Sequence, residues 1–149
     1  AGIVARERRG NQVHYFLDKK NLLLKELKAI IRKTFGVEHL LRERFASVPG
    51  IAFAFIYGSY AKGGMTNDSD IDVFVLGTPR DADVHAAVDA VESAVGREIN
   101  YHLSSVDEFT DKISTSFFHR DIVKRIVLLN GDPDEFGNLV KRAAQARED

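Results

Sequence analysis

Cysteine is absent from the 149 residues, which removes disulfides, thiolate metal ligands and a cysteine nucleophile together. The expectation is a reducing, cytoplasmic setting. No apolar run approaches the ~18 residues needed to span a bilayer, and no secretory core opens the chain, so no membrane partner is expected. The five histidines, His14, His39, His85, His102 and His119, show no metal-ligand spacing and read as scattered surface or satisfied residues. A Gly-x-Gly-x-x-Gly loop and a lysine-bearing phosphate loop are missing, and no Ser-His-Asp arrangement can be inferred. Neither an internal repeat nor a low-complexity segment is present. A first residue of Ala rather than Met is read as a chain trimmed or cut from something longer.

What remains is the composition of a folded protein, 44% hydrophobic and 29% charged. A chain of this length buries roughly 70% of its unfolded surface and needs no staple. The net charge of −1 conceals an asymmetry. Residues 1–35 hold nine Lys/Arg against three Asp/Glu, a net of +6, and the remainder holds twelve against nineteen. A basic head of this kind suits either a DNA contact or a plain solvated face.

Periodicity predicts a basic hairpin from Ile3–Arg8 and Val13–Leu17 around Gly10-Asn11. Asn21 is a candidate cap for a Leu-rich helix running to Phe35. Leu22, Leu23 and Leu24 place apolar side chains on more than one side of it, a basis for pairing with a second copy. Gly36 interrupts, and a second helical stretch carries Val37, Leu40, Leu41 and Phe45 on one side. Ile51–Tyr57 reads as a strand covered on both faces, and Ile71–Leu76 as another. Asp81 or Asp83 is expected to cap a Val-rich helix. A strand near Glu98–Leu103, helices at Val106–Ile113 and Phe117–Lys124, a strand at Ile126–Leu129 and a helix around Glu135–Gln145 follow. The domains expected are thus 1–35 and 36–149, with a layered sheet-and-helix body.

One segment carries chemistry. Gly58-Ser59 directly follows a buried strand, and Asp70-Ile71-Asp72 opens the next. Side chains alternate along a strand, so Asp70 and Asp72 face the same way, about 6–7 Å apart at ~3.3 Å per residue. Two carboxylates on one face repel unless a cation lies between them. Magnesium, or manganese in its place, suits such donors together with phosphate oxygens. A strand that turns at glycine into a short helix exposes N–H groups that bind phosphate, and the Ser59 hydroxyl adds a donor. Ser69 is a further nucleotide-binding candidate, and Lys62 either adds charge there or faces solvent. Either half of this pattern alone is common; both at strand ends, with ten residues between Ser59 and Asp70, is a far more specific signal.

That arrangement resembles the signature of the minimal nucleotidyltransferases of the DNA polymerase beta superfamily, over roughly residues 37–130. The resemblance implies an α+β fold, a mixed β-sheet with helices on one side, preceded here by the β-hairpin and helix. It implies magnesium at Asp70 and Asp72, and transfer of a nucleoside monophosphate from a nucleoside triphosphate. Several minimal members modify a partner toxin, so a protein acceptor or toxin partner is among the expectations. Residues 1–35 are similar to the wing hairpin and final helix of a winged-helix DNA-binding domain, without its recognition helix.

The family's third carboxylate is where this chain departs. By position Asn100 stands in its place, and an amide cannot take a proton. Glu98 and His102 share that face if the strand is regular, so Glu98 or His102 could substitute, or all three are ordinary surface residues. Hence two functions are carried forward: a magnesium-dependent transferase using Asp70 and Asp72, with Glu98 and Asn100 as the further catalytic candidates, or a catalytically weak nucleotide-binding regulator coupled to a DNA-binding module.

Overall fold

The computed structural model describes residues 4–17, 23–34, 36–63 and 70–146. Two compact units make up the chain, Ala1–Gly36 and Val37–Asp149. In the first, strands β1 (Val4–Arg9) and β2 (Gln12–Leu17) pair antiparallel with Arg9 opposite Gln12. Only Gly10 and Asn11 join them, and Gly10 takes the left-handed φ of 62° that a two-residue hairpin turn demands. Arg6, Arg8 and Arg9 are exposed on it. Helix α1 (Leu23–Thr34) completes the unit. Asn21, the expected cap, lies outside the described residues.

The second unit is built on a four-stranded mixed sheet in the order β5-β4-β3-β6. After helix α2 (Gly36–Ala46) come β3 (Ile51–Tyr57), β4 (Ile71–Gly77), α3 (Asp81–Val95) and β5 (Ile99–Ser104). Helices α4 (Val106–Thr115) and α5 (Phe117–Ile122), strand β6 (Val127–Asn130) and helix α6 (Pro133–Gln145) follow. β3 runs antiparallel to both β4 and β6, whereas β4 and β5 are parallel, as a crossover through α3 requires. This is the expected α+β architecture.

Alternation sorts the two central strands into chemically different faces. Ala54, Ile56, Ile71, Val73 and Val75 pack with Val37, Leu41 and Phe45 of α2 and the valines of α3 into an aliphatic core. Phe53, Phe55, Tyr57, Phe74 and Leu76 pack with Phe109 and Ile113 of α4, Ile122 of α5 and Phe136 of α6 into an aromatic one. Helices therefore cover both faces, not one as the resemblance implies. The reason is local: β3 and β4 carry almost no polar residue on either side, so each face must be buried. Phe55 stacks on Phe74 with centroids 5.6 Å apart, and each such buried ring contributes roughly 1.5–3 kcal/mol by leaving water.

Two other expectations change. Arg80, not Asp81 or Asp83, is the N-cap of α3, and it makes no side-chain cap bond. The helix begins at Asp81, so both acids fall in its first turn, where they favour the positive end of the helix dipole. Asp81 instead accepts a hydrogen bond from Tyr101 Oη at 3.0 Å. Ser105, by contrast, does cap its helix, α4, accepting from the Glu108 N–H at 3.1 Å. Among the described residues no helix is long and apolar enough to cross a membrane.

Candidate active site

The aromatic face ends in acid. Asp72 follows the same parity as Phe74 and Leu76, so β4 delivers its carboxylate to the edge of the aromatic core. It lies in register with Tyr57 of β3 on one side and with Asn100 of β5 on the other. Asp72 is half-buried and Asp70, just ahead of the strand, is exposed.

Gly58 brings the turn to this acid. Its φ is 71°, and a Cβ placed on it would meet Oδ2 of Asp72 at 2.9 Å. Only glycine allows both the left-handed backbone and that approach. The chain then makes a single turn, with the Lys62 N–H donating to the Gly58 carbonyl at 3.1 Å and the Gly63 N–H to that of Tyr60 at 3.2 Å. Over the described residues 58–63 the short helix expected after Gly58 is this single turn. Ser59 is exposed on it. Ser69 lies outside the described residues.

From the other side, Asn100 donates its Nδ2 to Oδ2 of Asp70 at 3.3 Å. Asp72, Ile99, Asn100, Tyr101 and His102 line an open cavity of about 520 Å³. Glu98 is exposed immediately before β5, where its carbonyl accepts from the Ile71 N–H at 2.9 Å. The lining contributed by β5 begins one residue later, at Ile99. Lys62 is exposed and pairs with Asp121 of α5 at 3.8 Å. Among the described residues no Lys or Arg pairs with Asp70 or Asp72, and no group of three or more His, Cys, Asp or Glu is arranged to hold a metal.

Several residues at the site carry no motif. Burial, and then the charge of Asp72, push the Tyr57 hydroxyl up to about 12. His102 stacks on Phe74 at 5.7 Å, and His119 meets the same ring edge-on at 6.0 Å. Two histidines that read as scattered thus share one aromatic support. Burial and then the nearby Lys112 ammonium hold the His119 imidazolium below its ordinary range. Phe118 of α5 packs edge-on against Tyr57, 6.2 Å between centroids. Strand parity could have placed Tyr57, but α5 comes from sixty residues away and left no signal.

Residues 39–134 match the family described as Polymerase beta, Nucleotidyltransferase. The chain belongs to that family. It is a nucleotidyltransferase. A candidate protein adenylyltransferase of Methanocaldococcus jannaschii is 35% identical over 72 residues, 46% of this chain and 68% of that protein. Among solved structures, a toxin–antitoxin complex with AMP-PNP superposes with a TM-score of 0.53 at 15% identity, over 74% of this chain and 86% of the other. A mutant MntA–HpeT toxin–antitoxin complex gives 0.50 at 16%, over 76% and 85%. At those identities the likeness establishes that this nucleotidyltransferase shares their fold.

Proposed function

We propose that this nucleotidyltransferase moves adenylate from ATP to a hydroxyl group on a protein. The observation that carries the reading is the closeness of Gly58 to Asp72, which sets the turn over 58–63 against the acid-bearing strand. The N–H groups of Gly58 and Ser59 and the Ser59 hydroxyl hold the triphosphate, with Lys62 at the end of that turn; Ser69 is kept as a nucleotide-binding candidate on its place in the sequence alone. The relative described as a candidate protein adenylyltransferase supports both the nucleotide and the class of acceptor.

The donors fit a divalent cation. Asp70 and Asp72 put hard oxygens on one strand face with no cationic side chain paired to either among the described residues, so their mutual repulsion favours an ion. Asp70 and Asp72 would hold magnesium, or manganese, and the ion would supply neutralisation of charge on the transferring phosphate. Asn100 orients Asp70 through its amide and accepts no proton. Glu98, immediately before β5, and His102 on it are the groups able to take the acceptor's proton.

Asn100 also favours a second reading, a nucleotide-binding regulator with little transfer. Incorporation of label from α-labelled ATP into candidate acceptors, beside Asp72→Asn, separates the two. Transfer that is lost in Asp72→Asn supports the enzyme. Magnesium-dependent ATP binding without transfer to any acceptor supports the regulator, and absence of nucleotide binding defeats both.

A further inference from the structure

We propose that Phe118 is the platform on which the nucleotide's base stacks, an assignment that rests on the ATP-dependent reading above. Phe117 and Phe118 are 72% and 51% exposed, large apolar rings that contribute little to the core of their own fold. Helix α5, which carries them, borders the site at three points. Phe118 meets Tyr57, the cross-strand partner of Asp72, at 6.2 Å. His119 meets Phe74, two residues beyond Asp72, at 6.0 Å. Asp121 pairs with Lys62 of the Gly58 turn at 3.8 Å.

Phe118 and Asp121 are three residues apart and lie on one side of the helix. The same side of α5 therefore reaches both the phosphate turn and the strand end that bears the acids. A nucleotide with its phosphates at Gly58 and Asp72 would bring its base to that surface by extending past Tyr57, and this is the orientation the proposal assigns. The geometry of the ring suits stacking. Its contacts with Tyr57 and with His119, the latter at 5.5 Å, are both edge-on at 84°. Among the described residues no other ring is stacked on it. A half-exposed aromatic ring without a stacked partner takes up a base without regard to its identity, because every base has a π-face. Phe117, more exposed and without a ring contact to Tyr57, is the internal control.

The test is equilibrium binding to the full chain with magnesium, using ATP, CTP and inorganic tripolyphosphate. Phe118→Ala is expected to weaken ATP and CTP roughly five- to a hundred-fold and to leave tripolyphosphate unchanged. Phe118→Trp is expected to restore the affinity, and Phe117→Ala to have no effect. Unchanged ATP affinity in Phe118→Ala overturns the assignment while the phosphate site stands. So does an equal loss for tripolyphosphate, which marks a structural role. Failure of the unaltered chain to bind either ATP or tripolyphosphate overturns the parent reading as well.

Discussion

Gly58, in the turn after β3, and Asp72 of β4 lie so close that a single methyl group on the glycine would sit 2.9 Å from the carboxylate Oδ2. That closeness couples the turn after β3 to the acid-bearing strand. Gly58→Ala must accept a left-handed backbone and also push the carboxylate aside. We expect a loss of about 1–3 kcal/mol in denaturant unfolding and at least a roughly ten-fold fall in transfer rate, by the sensitivity of reactions to misplacement. Full activity in Gly58→Ala would show that the turn and the acid do not cooperate.

Asn100 offers the converse experiment. Its amide donates to Asp70 at 3.3 Å, so Asn100→Asp replaces a donor with a third negative charge. Without divalent ions the substitution is expected to cost about 1 kcal/mol or more of stability, from lost hydrogen bonding and like-charge repulsion. Magnesium should restore the melting temperature more in Asn100→Asp than in the parent, and transfer should rise. Equal melting temperatures with and without magnesium in both proteins would contradict the placing of the ion at these acids.

Tyr57 supplies a pH signature. Its hydroxyl is raised from 10.0 to about 12 by burial first and by Asp72 second. The fold therefore favours the neutral phenol. This stabilisation is complete below pH 10, the unfolded value, and is lost as pH rises through about 12. Tyr60, through burial and then its hydrogen bond to Glu38, and Tyr101, through burial and then Asp81, shift in the same direction. Tyr57→Phe should lessen the loss of stability across this alkaline range. In Asp72→Asn, spectroscopic titration of tyrosinate should find Tyr57 ionising earlier, though still above its ordinary range because burial is the larger cause.

Ser105 gives a control remote from the chemistry. It caps α4 at the far end of β5 from Asn100, accepting from the Glu108 N–H. Ser105→Ala is expected to cost about 1 kcal/mol while nucleotide affinity stays at the parent value. A change in affinity beyond that predicted from the unfolded fraction would tie α4 to the site.

The legible part of this protein is what neighbours along the chain decide. The nearly continuous apolar runs of Ile51–Tyr57 and Ile71–Leu76 mark two strands buried on both faces, and the alternation of side chains along a strand puts Asp70 and Asp72 on a common side. Gly58 announces a turn because no other residue adopts its backbone cheaply. The ten residues from Ser59 to Asp70 add a pattern specific enough to mark the family. The cap of α3 falls at Arg80, one residue before Asp81 and three before Asp83, because both acids suit a first turn as well as a cap. The one-sided helical cover that the resemblance implies gives way to helices on both faces, because both strand faces are apolar.

Local order alone determined that two acids share a side and that a glycine turn precedes them. Tertiary structure decided what surrounds them. The parallel pairing of β4 with β5 sets Asn100 rather than Glu98 beside Asp72, and the packing of α4, α5 and α6 on the aromatic face brings Phe118, His119 and Asp121 to the rim. Side-chain periodicity specifies which way a residue faces within its own element. Which distant residue it meets depends on sheet register and helix packing, and those are set by the cooperative burial of the whole domain.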